Sequence, residues 1–222
     1  MPDCVLDTWT EQSIQAAAGV VQTVRDSYEI RLIQAGVVAG LGASVLYPAI
    51  LFIPMPLAAT AAVAAFLGPA IGIGSLGLRQ VIALHGHSVA ATLAAITNVV
   101  AGALITTMLL VQLAVRYGIA EAVPSAHLVA VWLGLDVAWD VYIGLGTILF
   151  GIATIGHPRF GWAFALPGLA LGSLVLVLNF YTFPTPPAEA GSIDVGPFVG
   201  LWYLAATLQA WRSIAWARER IR

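Results

Sequence analysis

Val131-Trp-Leu-Gly-Leu-Asp-Val-Ala-Trp-Asp-Val-Tyr-Ile-Gly-Leu-Gly146 lies inside the longer apolar run from Ala126 to Thr154. That run exceeds the ~20 residues a helix needs to cross the hydrocarbon layer of a bilayer. It nevertheless carries two carboxylates, Asp136 and Asp140, spaced i, i+4. A helix puts both on one face, with Trp132 one turn earlier in the same row. No other predicted membrane core in the chain contains an acidic residue.

Counted from Ala126 at 1.5 Å per residue, Asp136 lies about 15 Å deep and Asp140 about 21 Å deep. Placing a charge there costs ~2.5–3.5 kcal/mol on insertion scales, so this face must look into a bundle or a wet cavity. The two aspartates titrate as a coupled pair, with at least one proton held at neutral pH. A proton relay or small-cation site has this form, and Asn98, Thr106 and Gln112 of the preceding span are candidates to complete it. Trp139 sits near mid-span, too deep for an interfacial anchor, and its indole N–H needs a partner from Asp136 or an adjacent helix. The structural alternative has the aspartates bonded to those amides, or to Arg116 or Arg79, fixing helix register.

Composition agrees with a lipid solvent. Hydrophobic residues make up 60% of the 222 residues, charged residues 9%, and mean hydropathy is +0.92. A water-soluble domain carries roughly 25% charged residues. The net charge of −2 gives no field for nucleic acid, and none is expected as a partner. All nine basic residues are arginine, which excludes lysine Schiff-base chemistry. The single cysteine, Cys4, permits neither an internal disulfide nor a thiolate cluster. No cofactor and no metal are implied, and no nucleophile–base set for a membrane enzyme is legible. With Asp3 and Asp7 and no basic residue among the first ten, no cleavable signal is expected.

Thr8-Trp-Thr-Glu11 reads as a capping box. It opens a helix with Ile14, Ala17, Ala18, Val21 and Val24 against Glu11, Gln15, Gln22 and Arg25, where Arg25 and Glu29 can pair. Residues 1–30 are therefore expected to form an amphipathic helix, either interfacial or extending the first span into water. Six spans follow over residues 31–217: Arg31–Ile53, Leu57–Leu78, Val89–Val115, Ala126–Thr154, Phe160–Phe183 and Pro197–Trp216. Residues 218–222 form a basic tail suited to anionic lipid. The expected fold class is an all-α, six-helix transmembrane bundle.

Three small-xxx-small motifs, Gly36–Gly40, Gly68–Gly72 and Gly168–Gly172, favour close helix packing within the chain. Gly72-Ile-Gly74-Ser-Leu-Gly77 spells a dinucleotide fingerprint, but no strand precedes it, so it reads as packing. His85, His87 and His157 lack helical ligand spacing and a nearby carboxylate or thiolate, and read as interfacial loop residues. The other tryptophans, Trp132, Trp162, Trp202, Trp211 and Trp216, read as anchors or packing.

From the fourth span onward, Trp139-Asp-Val-Tyr142, the connection ending in His157-Pro-Arg-Phe160, a Gly-rich helix and a last helix entered through Gly196-Pro197 form a layout. It resembles the C-terminal half of small uncharacterised bacterial integral membrane proteins with six or so helices. The resemblance covers roughly residues 130 to 215 and implies the bundle and a bacterial source, with no reaction to carry over. The functional expectation is a small proton- or cation-coupled permease or sensor centred on the aspartate pair, or else an accessory membrane subunit. Its partners are the lipid bilayer and another membrane protein or a second copy of the chain.

With a cytoplasmic N-terminus, eight arginines (25, 31, 79, 159, 212, 218, 220 and 222) face the cytoplasm and only Arg116 faces outward. Such a bias requires an even number of spans and places the chain in the cell (inner) membrane with both termini cytoplasmic. A reporter fused to the C-terminus is expected to read out in the cytoplasm, and an external readout overturns this topology.

Overall fold

Proline and glycine punctuate the apolar runs into helices. The computed structural model describes the backbone of residues 4–118 and 126–221, and the side chains of these except 4–15, 19, 22–25 and 118. Among them are α1 (Cys4–Phe52), α2 (Leu57–Ala83), α3 (Val89–Gly118), α4 (Ala126–Thr154), α5 (Trp162–Thr182), α6 (Gly196–Arg212) and α7 (Ile214–Ile221). Pro54-Met-Pro56 separates α1 from α2, whose N-cap is Pro56. At the start of α3 the Ser88 Oγ accepts from the Ala91 N–H at 3.1 Å, capping that helix. The α4–α5 turn closes through Gly156 at φ 72° and Gly161 at φ 60°, backbone that a side chain would strain.

Five of these helices are long and apolar enough to cross a membrane: α1 from Asp26, then α2, α3, α4 and α5. This is the fold of a multi-pass membrane protein. The expected sixth span, Pro197–Trp216, is interrupted. The α6 helix has 17 residues, about 25 Å at 1.5 Å each, and stops before Ser213. There the Ser213 N–H is shared between the Gln209 and Ala210 carbonyls, and its Oγ donates to Gln209 at 2.8 Å. The same Oγ accepts from Arg159 Nε at 3.3 Å, tying the break to the α4–α5 turn.

The N-terminus also differs in detail from the sequence reading. Helical backbone is continuous from Cys4 to Phe52, so Thr8 lies within α1 instead of capping it. The side chains of the capping box, of Ile14, and of Arg25 in its pairing with Glu29 lie outside the described residues. Of the apolar stripe, Ala17, Ala18 and Val21 are exposed.

Consecutive helices from α1 to α5 pack extensively on one another, and α6 closes the row with sparser contacts to α1, α5, α2 and α4. Three of the four extensive contacts, α1–α2, α2–α3 and α4–α5, are built on glycine pairs. Gly36 and Gly40 of α1 face Gly77 and Gly74 of α2, Gly68 of α2 faces Gly102 of α3, and Gly172 and Gly168 of α5 face Gly144 and Gly151 of α4. All three small-xxx-small motifs thus serve packing inside the chain, and so do Gly74 and Gly77 of the apparent dinucleotide fingerprint.

A Cβ added at Gly77 would stand 2.5 Å from the Gly36 Cα, a backbone atom that cannot rotate away. Gly77→Ala is therefore expected to cost about 1–3 kcal/mol, read as a lower thermal unfolding midpoint in detergent. Gly42→Ala, with nothing within 4 Å, is the control expected to leave the midpoint unchanged.

Candidate functional site

The i, i+4 spacing puts Asp136 and Asp140 on one turn of α4, where both are half-buried. The Asn179 Nδ2 of α5 donates to Asp140 Oδ2 at 2.9 Å and to its own Val175 carbonyl at 3.0 Å. Among the described residues no arginine neutralises the pair, and Arg79 instead donates to Thr92 Oγ1 at 3.0 Å. The strongest charge interactions of Asp136 are with Asp140, Glu189 and Asp194, all carboxylates. The last two belong to the loop between α5 and α6. That loop folds back over the same end of the bundle, where Asp194 Oδ1 accepts from the Gly196 N–H at 2.8 Å at the start of α6. A Cβ on Gly196 would lie 3.0 Å from that oxygen and 3.6 Å from the Tyr47 hydroxyl, so Tyr47 of α1 stands beside Asp194.

Asp140 opens onto a cavity of about 280 Å³ between α1, α2, α4 and α6. This is just under the ~300–1,000 Å³ of ordinary small-molecule sites. Its walls are mainly apolar, with Ala43, Leu51, Ile71, Leu78, Trp139, Ile143 and Val199 among them. The polar groups facing it are Asp140, Tyr47, Ser44, Ser75, Tyr203 and Thr207. Ser44 Oγ donates to the Gly40 carbonyl and Thr207 Oγ1 to the Tyr203 carbonyl, so both offer an occupant only their oxygen lone pairs, while Asp140 is the one charged group in the lining.

The deeper wall is a polar knot. Asn98 is fully buried, and its Nδ2 donates to Ser75 Oγ at 2.9 Å and to the Tyr203 hydroxyl. Its Oδ1 fits against Gly146, where any Cβ would collide with it. Thr147 stands beside the same tyrosine hydroxyl. One amide thereby joins α2, α3, α4 and α6 in the interior of the bundle.

The sequence candidates therefore separate. Asp140 and Trp139 line the cavity, Asp136 lies one turn from Asp140 on α4 and is not among the lining residues, and Asn98 anchors the deeper wall. Thr106 is spent elsewhere, accepting from the Gly68 N–H at 3.2 Å across the α2–α3 contact. Gln112 does not line the cavity. The amide that reaches Asp140 comes from α5, not α3. Trp139 packs against two apolar clusters, and the indole with a clear carbonyl partner is Trp202, which donates to Phe164 at 3.0 Å. Tyr47, Asn179 and Tyr203 are site residues that sequence reasoning missed. Asn179 had one usable signal, as an amide inside an apolar run.

At the opposite end of the bundle His157 is buried, with the rings of His85, Phe160 and Trp216 edge-on at 5.2, 5.1 and 5.6 Å. Burial, and then the neighbouring His85, push its pKa down to about 4, so it is neutral at pH 7. Among the described residues no three His, Cys, Asp or Glu side chains converge as a metal site. Comparison of the chain with family models, with curated proteins and with solved structures returns no match.

Tyr203→Phe keeps the ring contacts to Phe150 and Trp202 and removes the hydroxyl that Asn98 meets. The expected loss is about 1–3 kcal/mol of stability, measured as a lower unfolding midpoint in detergent with helix content unchanged.

Proposed function

We propose that this chain is a small proton-coupled permease or proton-responsive sensor of the cell (inner) membrane, with six helices across the bilayer and both termini cytoplasmic. Asp140 is the working carboxyl group and Asp136 its titrating neighbour. The observation that carries the reading is the cavity: a membrane-depth carboxyl group faces open space instead of being sealed on all sides. Intramembrane carboxyl groups are costly to keep, and facing a cavity is the arrangement in which they do work. Asp136, one turn away on α4, and the carboxylates of the α5–α6 loop, Glu189 and Asp194, are the acidic groups between Asp140 and the loop end.

The topology of the proposal draws on contacts at the other end. His85 meets His157, and Arg159 reaches both Ser213 and the Arg212 carbonyl. The α2–α3, α4–α5 and α6–α7 connections therefore share one arginine-bearing end, which the positive-inside rule assigns to the cytoplasm. In this arrangement α6 is the short sixth span.

A second reading is favoured by the Asn179–Asp140 bond, which ties α5 to α4. In it the chain is an accessory membrane subunit, and the aspartates only hold helices together. A hydrophobic carbodiimide separates the two readings, because it adds to a protonated carboxyl group it can reach. The expected adduct, located by mass spectrometry on the folded protein in nanodiscs, sits on Asp140. It fades as pH is raised from about 5 to about 9, because the deprotonated carboxylate does not react. It persists in Asp136→Asn and disappears in Asp140→Asn. An Asp140 that stays unmodified at every pH means a sealed, structural carboxyl group.

A further inference from the structure

The walls of the Asp140 cavity limit what can occupy it, given that Asp140 is the working carboxyl group proposed above. A bare inorganic cation needs several oxygen ligands to replace its water. Here most of the surface is Ala, Leu, Ile, Val and Gly, and Asp140 is the only charged group among the lining residues. An anion meets Asp140, the one charged group among the lining residues, with no arginine in the same wall. A neutral apolar molecule fits the walls and leaves the carboxylate unused. An organic monocation matches both halves of the site. Its apolar body replaces nothing on the walls that needs a hydrogen bond, its charge meets Asp140, and Tyr47 and Trp139 are among the rings lining the same cavity.

The route in has the same character. Leu51 and Phe52 of α1 and Leu201 of α6 line the cavity while 52%, 77% and 61% exposed. The cavity therefore opens sideways between α1 and α6, onto the flank that faces lipid, near the level of the loop end. An amphipathic cation concentrates at that level of a bilayer, with its charge among the headgroups and its apolar part below.

We infer that the cavity between α1 and α6 is a binding site for a small lipophilic organic monocation, an amine or quaternary ammonium with about one ring of apolar bulk, taken from the bilayer and held by Asp140. Protons compete with it, since the carboxylate cannot hold both. The titratable groups facing Asp140 are Asp136 on its own helix, Tyr47 from α1, Tyr203 from α6, and Glu189 and Asp194 from the loop.

Benzyltrimethylammonium tests the inference, with neopentylbenzene, which has carbon in place of the charged nitrogen, as the neutral isostere. Equilibrium dialysis of the labelled cation against the full chain in nanodiscs is expected to show saturable binding of one cation per chain. Binding weakens by about tenfold or more in Asp140→Asn, and weakens as pH falls from about 8 to about 5. The isostere is expected to displace the cation at least about tenfold less effectively. Gly200→Leu guards against an unfolded Asp140→Asn variant. A Cβ there has its nearest atom, Tyr47 Cδ1, at an ordinary 3.9 Å, so the new side chain fills the cavity without touching the carboxylate and must also abolish binding. Displacement by the isostere at equal concentration, or binding that survives both substitutions, overturns the inference. Absence of cation binding while carbodiimide still labels Asp140 overturns it too, and leaves the proton-coupled reading standing. If carbodiimide also fails, both fall.

Discussion

Close backbone approach between glycines is the contact on which the bundle depends. Lipid tails are as apolar as leucine, so burying apolar side chains does not by itself drive one membrane helix onto another. What remains is dispersion at short range and hydrogen bonding, and both require the backbones to come near. Gly36 against Gly77, Gly40 against Gly74, Gly68 against Gly102 and Gly144 against Gly172 supply that approach at three of the four seams between α1 and α5. Thr106 accepting from the Gly68 backbone N–H shows how close α2 and α3 lie. With the helix axes held this tightly, the few polar side chains can be placed at defined depths.

Their placement follows an order of increasing burial. Glu189 and Asp194 are exposed at the loop, Asp136 and Asp140 are half-buried one turn apart, and Asn98 is wholly enclosed beside Tyr203 and Ser75. Each helix except α7 contributes to this column or to its walls. The ends differ in chemistry: carboxylates and a tyrosine stand beside the cavity at the loop end, and a neutral, ring-packed histidine beside Arg159 lies at the other. Neutral His157 suits the α4–α5 turn on which α7 rests through Trp216. A charge there would have to be solvated among three aromatic neighbours.

Much of the fold was legible because membrane helices announce themselves by length and apolar content. The bounds of α2, α3, α4 and α5 agree closely with the apolar runs. The end of α6 was not legible, because Ser213 is helix-compatible and its break depends on Arg159, which is distant in sequence. The site was legible on its own helix only. Asp136 and Asp140 stood out because charge in an apolar run is anomalous, whereas their surroundings depend on which faces meet. Asn98 and Thr106 lie on the neighbouring helix in sequence, yet one is engaged with α6 and the other with α2. Asn179 reaches Asp140 from α5, across a seam that no motif in either helix specifies beyond its glycines.

The unequal strength of the seams has a mechanical consequence. Five helices form a strip joined by extensive contacts, and a sixth fastens its two edges together by sparse ones. A strip fastened in this way yields first at the fastening. There Tyr47 of α1 lies opposite Gly200 of α6, where an added Cβ would reach its ring only at 3.9 Å. Deeper along the same seam Gly40 of α1 packs closely on Thr207 of α6, and the Asn98 knot ties α6 to α2, α3 and α4. The molecule is built like a clasp, with its sparsest fastening beside the cavity that Asp140 lines.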